Sequence, residues 1–233
     1  MNRVELIQKI IDHKEFNKYL EIGSYKGESF FPVKCKYKIA VDPKFNIPLK
    51  RKIKWVYKNP YNVFNKYFEL TSDDFFKKKQ DYAIKYKPEV VFVDGLHTFK
   101  ASLLDVLNSL KVIAKEGVVV MHDCLPPNKG ASTYARSFRE AVDMNLDGWT
   151  GEWTGDVWKS IVYLKEKYGN ELFVCVLNTD YGLGVVQIKS PLSTFEIDDD
   201  IFNKVNLLAY EDLMRDTNII NLEDKNYIKE LLH

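Results

Sequence analysis

The chain has 233 residues, with 34 Lys and Arg against 33 Asp and Glu, and a pI of about 7.6. That length suits one α/β domain with a sizeable core, and the balanced charge gives no support for a nucleic-acid or membrane-surface partner. Three cysteines, Cys35, Cys124 and Cys175, are too few and too scattered for a disulfide framework or a zinc site.

Residues 1–10 follow an amphipathic helix pattern, without the continuous apolar core of a signal peptide. No apolar run approaches the ~20 residues of a spanning helix, so a cytoplasmic, reduced protein is expected. Tyr19–Ile22 and Lys38–Val41 predict the first two strands. Residues 43–66 read as irregular, because Pro43, Pro48 and Pro60 discourage a long helix. Tyr67–Thr71 predicts a short third strand and Ser72–Lys79 the opening of a helix. Ser72 is placed as its N-cap, with Asp73 and Asp74 at the positive helix end. Lysines are dense from Lys34 to Lys87, but Phe, Tyr, Asp and Glu interrupt them, which predicts a solvated basic face.

Pro88–Asp94 predicts a fourth strand, apolar on both faces as a central parallel strand should be. Ser102–Ile113 is an amphipathic helix ended by Glu116-Gly117, and Val118–Met121 predicts the fifth strand. The rhythm then breaks. Residues 124–154 carry Pro126, Pro127, Gly130, Gly148 and Gly151, with Trp149 and Trp153. A loop of that length inside a compact domain is usually functional, and an acceptor-binding role is expected for it. Helix resumes near Asp156, read as its N-cap, and runs to about Tyr168. Leu172–Leu177 and Gly184–Ile188 form a predicted antiparallel hairpin. Residues 190–233 are polar with two helical patterns, an appendage that docks on its own sheet or on a partner subunit. A homo-oligomer is therefore left open, and the whole chain reads as a single domain.

The most informative segment is Lys18-Tyr-Leu-Glu-Ile-Gly-Ser-Tyr-Lys-Gly27, followed by Val41-Asp42. A dinucleotide-binding turn is written G-x-G-x-x-G, its second glycine admitting a pyrophosphate. Tyr25 occupies that slot here, so the expected ligand carries a ribose but no phosphates, as S-adenosylmethionine does. An ionised carboxylate only accepts hydrogen bonds and a vicinal diol offers two donors, which suits Asp42 to a ribose. The other reading of the turn is a tight β-to-α connection with a strand-end Asp capping the next helix.

These residues resemble the class I S-adenosylmethionine-dependent methyltransferases. The resemblance implies an α/β, Rossmann-like, doubly wound seven-stranded sheet, mostly parallel with one antiparallel terminal hairpin strand. It places Glu21 near the methionine end of the cofactor and lets Gly23, Ser24 and Gly27 form the turn beneath it. It sets Asp42 on the ribose and Ser72 and Asp73 beside the adenine, where an N-cap with helix-dipole carboxylates is the other reading.

A second constellation falls at the predicted tips of strands four and five, where open α/β sheets bind ligands. Asp94-Gly-Leu-His-Thr-Phe99 follows one and His122-Asp123-Cys124 the other. Neighbouring strands lie ~4.8 Å apart, so the two tips share one small site. Two carboxylates and an imidazole there suit a divalent cation. Segments Phe92–Lys100 and Val118–Pro126, with W-T-G-D-V-W-K at 153–159, resemble a branch of that family found with sugar and glycan O-methyltransferases. More distantly they are similar to metal-dependent catechol and macrolide-sugar O-methyltransferases. That resemblance implies Asp94, His122 and Asp123 as metal ligands. A catechol-type Asn falls on Cys124, a poor magnesium ligand, and His122 suits manganese or iron better than magnesium. Asp94, His97 and Asp123 are the expected catalytic groups, with His97 as base because an unperturbed imidazole titrates near neutrality. A histidine bonding backbone is the other reading of His97, and simple packing that of His122. Trp149, Trp153, Trp158 and Lys159 are candidates for an acceptor wall, with Trp158 as core the other reading.

The expected activity is O-methyl transfer to a small-molecule or sugar-linked hydroxyl of the kind used in polysaccharide biosynthesis. Two alternatives share the fold: a metal-dependent hydroxylase and a non-catalytic binding protein.

Overall fold

The computed structural model describes residues 1–146 and 148–231. The elements, in chain order, are α1 (Arg3–Lys14), β1 (Lys18–Ile22), β2 (Tyr37–Asp42), α2 (Leu49–Lys58), β3 (Lys66–Glu69), α3 (Ser72–Lys78), α4 (Gln80–Tyr86), β4 (Val90–Val93), α5 (Phe99–Val112) and β5 (Val118–Met121). They continue with α6 (Phe138–Asp143), α7 (Trp158–Tyr168), β6 (Leu172–Leu177), β7 (Leu183–Ile188), α8 (Asp199–Asn206), α9 (Tyr210–Arg215), β8 (Leu222–Glu223) and α10 (Ile228–Leu231).

One mixed sheet orders the strands β3-β2-β1-β4-β5-β7-β6-β8. β7 runs antiparallel to both its neighbours, and every other pairing is parallel. The sequence predicts seven strands; the eighth is the two-residue β8, paired with β6 through Val176↔Leu222 and Leu177↔Glu223. A segment that short has no period to read. The tail thus docks on its own sheet, with Val205, Leu213 and Ile220 buried in the core.

Alternation along the strands divides the interior. Leu20, Ile22, Ile39, Val41, Val91, Val93, Val119 and Met121 face the layer containing α3, α5 and α7. Tyr19, Ala40, Val90, Phe92, Val118 and Val120 face α1 and the Phe30–Phe31 segment. α1 begins with an Asn2–Glu5 capping box, each side chain meeting the other's backbone N–H.

Three local expectations are corrected. Residues 49–58 are helical, since Pro48 sits at the N-cap of α2 and Pro60 lies beyond its end, positions where proline breaks no internal hydrogen bond. The cap of α3 is Thr71, whose hydroxyl accepts from Asp74 N at 3.2 Å; Ser72 is the first helical residue. Asp156 does not cap its own helix, for reasons that belong to the site. Among the described residues no helix is long and apolar enough to cross a membrane.

Candidate active site

The parallel strands deliver their C-terminal ends to one side of the sheet, and a cavity of about 740 Å³ opens there. Gly23, Asp42, Ser72 and Asp73 line one part, and Asp94, His97, His122, Asp123 and Trp153 another. A polar recess of about 430 Å³ adjoins it, sharing Arg3, Gly23, Tyr25 and Asp94 and adding Ser24.

The turn after β1 is glycine-bearing for packing reasons visible on the spot. Gly23 has φ +86°, and a Cβ there would lie 1.9 Å from the Asp94 carbonyl oxygen. Gly27, at φ +69°, would drive a Cβ to 2.5 Å from the Phe31 ring. Gly27 lines neither cavity, and Glu21 does not either. Because Glu21 alternates with Leu20 and Ile22, its side chain goes to the α1 side, where Tyr19 Oη and Ser29 Oγ donate to it at 2.5 and 2.9 Å. Asp42 is on the cavity wall at the tip of β2. Its Oδ2 accepts from Tyr25 N and its Oδ1 from Lys44 N, both at 2.8 Å, leaving a lone pair on each oxygen. Ser72 also lines the cavity, but its hydroxyl bonds the buried carboxyl of Asp105, which burial pushes up to about 7.

The W-T-G-D segment that follows the long loop is a clasp on the tip of β4. The Trp153 ring stacks on His97 with centroids 5.1 Å apart. Its carbonyl lies 2.7 Å from His97 Nδ1, and a carbonyl only accepts, so Nδ1 carries the proton. Gly155, at φ +57°, lets the chain pass where a Cβ would meet His97 O at 1.8 Å. Asp156 Oδ1 accepts from Phe99 N at 2.7 Å, capping α5, whose own N-cap residue Thr98 makes no side-chain bond. Of the other candidate wall residues, Trp158 is a core residue of α7, Trp149 packs against the Ala135–Ala141–Trp153 cluster, and Lys159 donates to Asn206 O.

Residues 20–124 match the family model of a methyltransferase domain. Solved structures agree on the fold. An O-methyltransferase from Bacillus cereus in complex with S-adenosylhomocysteine (SAH) is 12% identical, with TM-score 0.55 over 80% of each chain. The SAH-bound Podospora anserina methyltransferase PaMTH1 is 15% identical, with TM-score 0.54 over 81% of this chain and 78% of its own. The O-methyltransferase TomG from Streptomyces achromogenes, involved in tomaymycin synthesis and solved with S-adenosylmethionine, is 12% identical, with TM-score 0.52 over 80% and 79%. No curated protein sequence matches the chain.

Around the strand tips the charges interlock. Arg3, from the first turn of α1, donates from Nη1 to Asp94 Oδ2 at 3.1 Å and grips Asp180 through Nε and Nη2 at 3.0 and 3.1 Å. Neither Arg3 nor Asp180 stands out in the sequence; they lie 177 positions apart. His122 is buried, with Nδ1 3.0 Å from Asp123 Oδ1 and 3.5 Å from Asp94 Oδ1, and Nε2 3.7 Å from Asp180 Oδ1. Burial opposes its charge, but Asp123 and Asp94 overcome this and hold its pKa well above the usual imidazole range. His97 behaves alike: against burial, its bond to Asp94 and the charges of Asp123 and Asp94 push it up to about 9. Burial likewise opposes ionisation of Asp94, yet His122 and His97 keep it well below the usual carboxylate range. The expectation of an unperturbed His97 is thus corrected, because two carboxylates face it.

One ligand atom each from Asp94, His97 and Asp123 falls within a 4.8 Å span. This donor set fits a divalent cation: with Nδ1–H fixed by the Trp153 carbonyl, Nε2 is left as the ligating nitrogen, an arrangement metal-binding histidines use. The imidazole of the set is His97, whereas the sequence pointed to His122. His122 instead sits buried among Asp94, Asp123 and Asp180, outside that group of converging ligand atoms.

Proposed function

We propose that the chain is an S-adenosylmethionine-dependent O-methyltransferase whose acceptor is a hydroxyl of a small molecule, with a sugar or glycan precursor as the favoured class. The observation that carries this reading is the single cavity. Asp42 at the tip of β2 and the Asp94–His97–Asp123 group at the tips of β4 and β5 open into the same space. A nucleoside at one end and a reacting hydroxyl at the other then share one chamber.

On this reading Asp42 accepts from the ribose diol with its remaining lone pairs, Ser72 and Asp73 border the adenine, and Gly23 and Ser24 border the methionine portion. Glu21 and Gly27 act from behind, by fixing the turn. Methyl transfer from a sulfonium to oxygen is an in-line displacement, and the protein contributes alignment, proton removal and exclusion of water. Asp94 and Asp123 orient the hydroxyl. Where no cation occupies Nε2, that nitrogen of His97 is the one able to take the proton, since Nδ1–H is committed to the Trp153 carbonyl. Asp94, His97 and Asp123 would hold a divalent cation, which would supply Lewis-acid stabilisation of the alkoxide in place of the His97 base. The Trp153 ring on the cavity wall offers a flat apolar face of the kind sugar rings stack on.

Calorimetric titration with S-adenosylhomocysteine, in chelator and again with magnesium or manganese, tests the cofactor. Binding by the wild type that Asp42→Ala abolishes is the expected result, and no binding under any condition overturns the proposal. Full turnover by Asp94→Asn on a true acceptor would remove the strand-tip carboxylate from the chemistry.

A further inference from the structure

Helix α2 places Leu49, Ile53 and Tyr57 in one row and Lys50, Lys54 and Lys58 in the next, each at a spacing of four. All six are exposed, the apolar three by 71, 50 and 85%. The opposite side is anchored, since Trp55 stacks on Phe31 with ring centroids 6.0 Å apart and planes 7° from parallel. After the helix the surface continues through Tyr61, Val63 and Phe64, exposed by 46, 62 and 55%. Residues 43–66, Lys66 included, carry seven Lys and Arg and no Asp or Glu, in a chain whose net charge is +1. Charge is therefore segregated, and a neutral total conceals a strongly basic face that carries its own apolar ridge.

We propose that this face docks on an anionic lipid bilayer. Acidic headgroups would pair with the lysine row, while Leu49, Ile53 and Tyr57 enter the boundary between headgroups and acyl chains, as interfacial amphipathic helices do. Tyr57, Tyr61 and Phe64 add the aromatic groups that favour that depth. A nucleic acid would satisfy the lysines but gives exposed Leu and Ile side chains nothing to gain. A second copy of the chain would cover the apolar ridge, but only by bringing two like-charged faces together. The bilayer satisfies both rows at once. Segment 43–66 begins at Pro43, which itself lines the cavity, so the docking helix follows the cavity wall by a few residues in the chain. The inference is independent of the reaction proposed above.

The test is flotation of the purified chain with vesicles of phosphatidylcholine, with and without phosphatidylserine, at low and high salt. The wild type is expected to float only with the anionic vesicles and to be released by salt. Lys50→Glu/Lys54→Glu/Lys58→Glu should weaken partitioning by about 100-fold, on the per-charge scale of polybasic segments. Leu49→Ser/Ile53→Ser/Tyr57→Ser should weaken it by about tenfold or more. Every substituted side chain is exposed, and an unchanged melting temperature confirms that each variant folds. Absence of wild-type binding to anionic vesicles overturns the proposal. Binding to heparin as tight as to vesicles, and indifferent to the apolar substitutions, overturns it in favour of a soluble polyanion. A concentration-dependent dimer that the apolar substitutions dissolve overturns it in favour of self-association.

Discussion

Glu21 is wholly buried on the α1 side of the sheet, and burial pushes its carboxyl up to about 7 against the hydrogen bonds from Tyr19 and Ser29. The unfolded chain releases that proton near the ordinary value of 4.5. Between those two pH values the folded protein holds the extra proton, so stability falls as pH rises, and the full loss persists above about 7. At ~1.4 kcal/mol per unit the loss is on the order of 3 kcal/mol. Glu21→Gln should abolish this component: urea denaturation at the two ends of the window should show the variant gaining about 3 kcal/mol on the wild type toward the alkaline end. An identical pH profile for the two proteins would mean that Glu21 titrates in the folded protein as it does in the unfolded chain. Around the cavity a different cost is borne. Tyr25, Asp123 and Tyr181 all line it in left-handed conformations, with φ of 33, 62 and 59°, a concentration of backbone strain of the kind found at functional sites. Asp94, Asp123 and Asp42 are legible from sequence because each ends an apolar strand. Arg3 and Asp180 are not, because their pairing spans 177 positions and neither belongs to a motif that points at the site.

Elements, more than single residues, decide whether the strand-tip groups stay together. The chain returning from the long loop fastens to the segment after β4 by four contacts: the Trp153 ring and carbonyl on His97, Gly155 against the His97 backbone, and Asp156 on Phe99 N. Asp156 thus supplies the cap that α5 lacks locally. Removing it with Asp156→Ala should destabilise the protein by about 1–2 kcal/mol, the usual range for a lost cap. Asp156→Asn keeps an acceptor oxygen and should recover most of that loss in the same denaturation measurement. If the two variants are equally destabilised, the carboxylate acts through its 3.9 Å approach to Lys159 instead of through the cap. The motif itself was legible, but not its use: a local reading assigns Asp156 to the helix that follows it, whereas its partner lies 57 positions earlier. The same limit explains α2, where prolines just outside the helix looked like breakers, and β8, which exists only through its pairing with β6.

At the scale of the molecule, the candidate site is where distant parts of the chain are tied together. α1 reaches it through Arg3, the β1 and β2 tips through Gly23 and Asp42, the β4 and β5 tips through Asp94 and Asp123, and the β6–β7 turn through Asp180. In the described chain the acidic cluster is balanced from within, by Arg3, His97 and His122. A ligand that binds the folded state only must then stabilise the whole assembly by mass action, about 2.7 kcal/mol at a hundredfold excess over Kd. For a chain of this length each kcal/mol moves Tm by ~2–4 °C. Saturating S-adenosylhomocysteine should therefore raise Tm by roughly 5–10 °C, and Asp42→Ala should remove that rise. Manganese alone should give its own rise, lost in Asp94→Asn but kept in Asp42→Ala, because the two sites share a cavity without sharing a ligand residue. A rise with manganese that survives Asp94→Asn would place the cation elsewhere. A cofactor rise that disappears equally in both variants would mean that nucleoside and strand-tip groups form one indivisible site.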